Sequence, residues 1–167
     1  FRIDIDDRVA ITERISGDAL TAFVLDNFGV PGVQSANFFI NAADTRTKGV
    51  DLVLDYRQSL GQYGEAKWSV AYNRNKTSIR DLADTPAQLA RLGSGYVLFD
   101  RQQQIDLTES TPKDKWILST NYKVGDWTTN LQLTRFGEYT EGSNIPANDR
   151  TYSAKWITDI DVAYDVT

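Results

Sequence analysis

The stretch Pro112-Lys113-Asp114-Lys115-Trp116-Ile117-Leu118-Ser119-Thr120-Asn121-Tyr122-Lys123-Val124-Gly125-Asp126-Trp127-Thr128-Thr129-Asn130-Leu131-Gln132-Leu133-Thr134 alternates between two kinds of side chain. Trp116, Leu118, Thr120, Tyr122 and Val124 fall on one side, and Lys115, Ile117, Ser119, Asn121 and Lys123 on the other. After Gly125-Asp126 the pattern restarts, with Trp127, Thr129, Leu131 and Leu133 against Thr128, Asn130, Gln132 and Thr134. A period of two is the signature of extended chain. Two such runs joined by so short a link form an antiparallel hairpin, because parallel neighbours need a crossover. Both apolar sides then lie on the same face, and the opposite face is wet.

The same alternation recurs on either side of this hairpin. Upstream, Leu52, Leu54 and Tyr56 oppose Asp51, Val53, Asp55 and Arg57 at the end of an extended region beginning near Ala36. Gly49 interrupts that region and predicts a bulge or a close backbone approach. Ser59 to Glu65, with Gly61 and Gly64, is a turn, and Trp68, Val70 and Tyr72 then alternate with Lys67, Ser69, Ala71 and Asn73. Phe1, Ile3 and Ile5 against Arg2, Asp4 and Asp6 open the chain in strand phase. Asp7 and Glu13 break that phase, so a bulge shifts it or the segment rises beyond any apolar layer. Downstream, Ala154, Trp156, Thr158, Ile160, Val162 and Tyr164 form one side of a last strand between Ser153 and Val166. Asp18 to Gly29 and Pro86 to Leu92 read as short helical pieces inside loops, the second flanked by Thr85 and Gly93.

Composition narrows the possible functions. The 167 residues carry 18 Lys+Arg against 23 Asp+Glu, a net charge of -5, with no concentrated basic surface for nucleic acid. There is no Cys and no His, which removes disulfides, the usual zinc sites and the Ser-His and Cys-His nucleophile systems. No catalytic residue, metal ligand or cofactor site is predicted. Met is also absent, so the chain reads as an internal piece of a longer protein. No apolar run approaches the ~20 residues of a membrane-spanning helix. A mean hydropathy of -0.42 nevertheless suits a polar-lumen barrel as well as a soluble domain.

The reading gives about six long strands in an antiparallel up-and-down meander, with connections alternately long and short. Ser16 to Ser35, Asp81 to Thr111 and Glu141 to Tyr152 are the long ones. Outer-membrane barrels show this asymmetry, with short periplasmic turns and long external loops. Aromatic residues near the ends of the apolar faces predict a lipid-facing girdle of Trp68, Tyr72, Trp116, Tyr122, Trp127, Tyr139, Trp156 and Tyr164. Trp127 and Tyr139 are 12 residues apart, which a tilted strand projects to roughly 30 Å. The bland alternative is a soluble sheet whose greasy face is its core, as in a binding module. A passive porin is the third reading.

Several stretches carry a family resemblance. They are Ile3-Asp4-Ile5-Asp6-Asp7-Arg8-Val9, Phe38 through Asp51, Thr111-Pro112-Lys113-Asp114-Lys115, Arg135-Phe136-Gly137-Glu138-Tyr139, and Lys155-Trp156-Ile157-Thr158-Asp159-Ile160. Their order and spacing resemble the C-terminal part of the β-barrel of TonB-dependent outer-membrane receptors. The resemblance implies that residues 1–167 are part of a transmembrane barrel of about 22 strands closed around an N-terminal plug domain that this stretch lacks. It also implies the outer membrane of a Gram-negative bacterium, a lipid bilayer as surroundings, and active uptake of a scarce nutrient such as a metal-siderophore complex. Energy would come from the TonB-ExbB-ExbD complex. The nutrient itself is not readable.

The candidate ligand contacts follow from position. Loop tips near the outer mouth single out Tyr96, Phe99 and Arg101. Arg46, Lys48, Arg74 and Arg135 are candidates to steer an anionic ligand toward the lumen, against the plainer reading of wall charges with carboxylate partners. Asp4, Asp6 and Asp7 lack the glycine and glutamate of an EF-hand and read as a solvated acidic cluster. Asp159 and Asp161 share a polar face that Lys155 can balance, which disfavours a catalytic pair.

Overall fold

The computed structural model describes residues 1–12, 14–16, 27, 29, 32, 35–37, 39–84, 97 and 99–166. In chain order the strands are β1 (Arg2–Ile11), β2 (Ile15–Ser16), β3 (Ser35–Ala36), β4 (Phe39–Ser59) and β5 (Glu65–Leu82). They continue as β6 (Asp114–Val124), β7 (Trp127–Phe136), β8 (Tyr139–Glu141), β9 (Arg150–Tyr152) and β10 (Lys155–Tyr164). One α-helix, α1 (Arg101–Thr108), is described. The main sheet has six strands in the order β1-β4-β5-β6-β7-β10, all paired antiparallel. This is the predicted meander of six long strands. The pairs β2-β3 and β8-β9 are small separate ribbons within the long connections.

The short connections are tight for local reasons. At the β4-β5 turn, Leu60 N–H donates to Gly64 O at 2.8 Å across a 3-10 turn at Gly61–Tyr63. Gly64 has φ 91°, and a Cβ there would stand 2.0 Å from the Lys123 carbonyl oxygen. Only glycine fits that position. The predicted hairpin turn Gly125-Asp126 joins Val124 to Trp127, with φ 56° at Gly125. In β1 the phase break is a bulge, where Asp7 has φ 54° and the pairing shifts between Ile5 and Arg8. Gly49 makes a close approach and not a bulge, because its register with Arg2–Ile5 and β5 runs unbroken on either side.

Register defines the two faces. One inter-strand row joins Leu54, Val70, Leu118, Leu133 and Thr158, and the next joins Tyr56, Trp68, Thr120, Leu131 and Ile160. The alternate rows carry Asp55, Ser69, Ser119, Gln132 and Asp159, then Arg57, Lys67, Asn121, Asn130 and Asp161. The apolar face is uncovered: Leu54 is 57 % exposed, Trp127 52 % and Ile160 68 %. Among the described residues the buried apolar cluster is small: Phe99 packs on Ala42 and Ala43, with Ala10, Ile40, Ile79 and Leu107 around it, and Ala66 is buried apart from it. A sheet whose large apolar residues face out and whose core is this small does not resemble a water-soluble sandwich.

β4, 21 residues long, and β5, which runs to Leu82, both outreach the hairpin β6-β7. Two sequence expectations need correction. Ile3 and Ile5 pair with Thr47 and Thr45, which lie in the phase of Gly49, Asp51 and Asp55. The apolar phase of β1 therefore belongs to the polar face. Tyr139 is not on the apolar face of the sheet either. It starts β8, pairs with Tyr152 and stacks on that ring at 4.9 Å. The break before it is Gly137, whose N–H donates to the Asp114 carbonyl at 2.8 Å and ends β7. The predicted helices fall outside the described residues, except for Asn27 and Gly29 of the first.

Candidate functional site

The polar face forms a hollow of about 590 Å³ bordered by Lys67, Ser119, Asn121, Asn130, Asp159 and Asp161. The polar side of the sheet is thus the concave one. Strand alternation presents these groups together, and the register puts Asn121, Asn130 and Asp161 side by side on β6, β7 and β10. Asn121 donates to Asn130, and Asn130 Nδ2 donates to Asp161 at 3.1 Å. Lys155 makes no ion pair with Asp159 or Asp161 among the described residues, so an amide ladder replaces the expected charge balance. Such a surface offers hydrogen-bond donors and acceptors to polar solutes.

At the end of the sheet away from the short turns, the connection from β5 to β6 folds onto this polar side. Ile79, opposite Thr45, packs against the Phe99 cluster. Helix α1 starts at a capping box: the Asp100 carboxylate accepts from Gln103 N–H at 2.8 Å, and Gln103 Oε1 accepts from Asp100 N–H at 2.9 Å. Gln103 Nε2 also donates to the Ile11 carbonyl at 2.6 Å, fastening the helix to β1. Beneath the helix lies a mostly apolar pocket of about 290 Å³, with Ile11, Ala43, Phe99 and Leu107 as walls and Arg8 and Asp106 as its charged groups.

A second set of bonds joins this connection to the one before β10. Arg101 grips Asp149 through two parallel bonds, Nη1 to Oδ1 at 2.9 Å and Nη2 to Oδ2 at 2.6 Å, and also donates to the Ser143 carbonyl. Ser143 N–H donates to Asp149 Oδ1 at 2.9 Å, and Asn144 Nδ2 donates to Asp100 Oδ2 at 2.7 Å. The guanidinium, and then the Ser143 amide, hold the Asp149 carboxyl down from 3.8 to about 2. The same partnership raises the Arg101 pKa.

The candidate ligand residues come out dispersed. Tyr96 lies outside the described residues. Phe99 is a core residue, only 9 % exposed, and Arg101 is committed to Asp149. Arg46 and Arg135 do not face the hollow: Arg46 is in phase with Leu52 and Leu54, and Arg135 shares a row with Trp116 and Trp156. They are paired with Asp4 at 2.7 Å and with Asp114, respectively. Lys48 and Arg74 occupy the same apolar-side phase. Strand parity places all four on the side of the sheet opposite the hollow. The acidic cluster is also spent, with Asp4 on Arg2 and Arg46 and Asp6 3.6 Å from Arg80. Sequence reasoning missed Asp100, Asn144 and Asp149. The Asp-x-x-Gln spacing at Asp100 was the available signal.

The aromatic residues collect at two levels of the apolar face. Tyr72 and Trp116 lie 4.2 Å apart in the row that also holds Trp156. Trp127 and Tyr164 lie 4.8 Å apart beside the short turn, with Tyr122 one apolar row away. Trp68, opposite Tyr56, belongs to neither level: it shares the inter-strand row of Thr120, Leu131 and Ile160, midway between them.

In comparison with known proteins, a family model described as TonB dependent receptor-like, beta-barrel matches residues 1–167, the whole chain. No curated protein and no solved structure matches.

Proposed function

Because the chain belongs to the TonB-dependent receptor β-barrel family, a family of outer-membrane receptors and transporters, we propose that it is wall and external loops of an active importer. On this reading residues 1–167 are part of the barrel domain, which closes at about 22 strands around a plug domain. The convex apolar face meets lipid, with Trp68 midway across it, and Tyr72, Trp116, Tyr122, Trp127, Trp156 and Tyr164 mark its two interfaces. The concave polar face lines the lumen. The cargo is a scarce nutrient such as a metal-siderophore complex, and its passage is driven through the TonB-ExbB-ExbD complex. No step calls for an enzyme's chemistry.

The observation that carries this reading is an exposed face that gathers the Trp, Tyr and Leu side chains of five neighbouring strands, in a sheet with a very small core. Six strands leave β1 and β10 each with one neighbour, and in a bilayer such edges must be paired by further strands. The test is uptake of radiolabelled siderophore-bound iron by cells carrying or lacking the full-length gene. Uptake that requires the gene and stops on adding an uncoupler supports the importer. Gene-dependent uptake that ignores the uncoupler would make it a passive porin.

A further inference from the structure

Five cations lie on the apolar side of β1, β4 and β5, just beyond the aromatic row of Tyr72 and Trp116. Arg2, Lys48 and Lys76 form one inter-strand row, Arg46 is one apolar-side step beyond it, and Arg74 stands opposite Val50 one step nearer the aromatics. Against them stands one carboxylate, Asp4, which is shared by Arg2 and Arg46 at 2.7 Å each. Asp114, opposite Arg74, is taken by Arg135. Among the described residues Lys48, Arg74 and Lys76 have no anionic partner.

Like charges directly opposite on neighbouring strands repel, so three in a row is an arrangement that an external anion would stabilise. The face gives that anion a shape. Stepping two residues at a time along β4, Lys48 is followed by Val50, Leu52, Leu54 and Tyr56, with Val50 61 % and Leu54 57 % exposed. A molecule that matches this order has phosphates at one end and hydrocarbon chains at the other. A free phosphate matches only the first part.

We propose that Lys48, Arg74 and Lys76, with Arg2 beside them, bind the phosphorylated headgroup of a bilayer lipid whose acyl chains lie along Val50, Leu52 and Leu54. The site is on the outside of the wall and is separate from any route for the nutrient. It rests on the apolar face being the lipid face.

The probe is diphosphoryl lipid A, titrated by native mass spectrometry into the full-length receptor in neutral detergent. Parent protein is compared with Lys48→Gln/Arg74→Gln/Lys76→Gln and with a control of equal charge change on the concave face, Lys67→Gln/Lys115→Gln/Lys155→Gln. Removing three surface cations should weaken lipid A binding about a hundredfold, and the control should bind as the parent does. Fully dephosphorylated lipid A should bind no better to the parent than to the triple variant. Equal affinity of parent and triple variant, or equal loss in the control, overturns the proposal. So does displacement of lipid A by inorganic phosphate alone, which would make this a simple anion site. If the triple variant does not fold, Lys76→Gln alone should lose about fivefold while Lys48→Arg loses nothing, and parental affinity in Lys76→Gln refutes the site. A receptor that stays folded and dispersed without detergent would instead remove the lipid-face reading itself.

Discussion

Replacing Leu131 by arginine separates a lipid-facing surface from a solvent-facing one. Leu131 is four residues from Trp127 at the turn end and four from Arg135, whose row holds Trp116 and Trp156. At ~3.3 Å per residue and a tilt near 40°, each aromatic level is about 10 Å away, which puts Leu131 near mid-depth of an apolar band about 20 Å tall. Arginine at the bilayer midplane of a barrel costs about 2 to 4 kcal/mol. Gln132, the next residue, points to the concave polar side, where Gln132→Arg should change stability by no more than about 0.5 kcal/mol. The assay is urea unfolding of the full-length receptor folded into lipid vesicles, followed by tryptophan fluorescence. The reasoning predicts a lower midpoint for Leu131→Arg and a near-parental one for Gln132→Arg. Equal midpoints for the two variants would refute it, since they would place both residues in the same surroundings.

Three further outcomes follow from local geometry. Gly64→Ala sets a side chain against the Lys123 carbonyl at a backbone angle that favours glycine, and should cost more than about 1 kcal/mol in the same unfolding assay. Phe99→Ala empties the centre of the small cluster on Ala42 and Ala43, so amide exchange at Ala42 and Ala43 should speed up at least tenfold, while that of Leu131 and Leu133 stays unchanged. The Arg101-Asp149 clasp depends on an ionised carboxyl whose pKa drops on folding from 3.8 to about 2. Its contribution is therefore complete above about pH 4 and lost as the pH falls through about 2. Protease nicking between β8 and β9 should rise over that window in the parent, whereas Asp149→Asn should be nicked readily at neutral pH and show no such rise.

The hairpin, its turn and the greasy face were legible because a period of two needs only local sequence, and the register sets Leu118 beside Leu133 and Val124 beside Trp127 on one face. Parity also held information that went unused. Arg46 lies an even number of residues from Leu52 with no bulge between them, so it shares the apolar side, yet its charge suggested a wet lumen. On the proposed membrane reading, charge belongs to the height along the strand as much as to the face, because beyond the aromatic row both faces would meet polar surroundings. Tyr139 misled for a related reason: Gly137 ends β7 at Asp114, and a two-residue gap then turns the chain into a different ribbon. The clasp between Arg101 and Asp149 joins residues 48 apart in two loops without periodicity, so only the local capping box of α1 left a trace in the sequence.

The most direct test of the two-faced wall is a nitroxide scan of positions 127–136 in the full-length receptor folded into vesicles, one cysteine at a time. The account predicts that collision with oxygen peaks at Trp127, Thr129, Leu131 and Leu133, while collision with a water-soluble nickel chelate peaks at Thr128, Asn130, Gln132 and Thr134. Opposite phases, or no two-residue period at all, would contradict it.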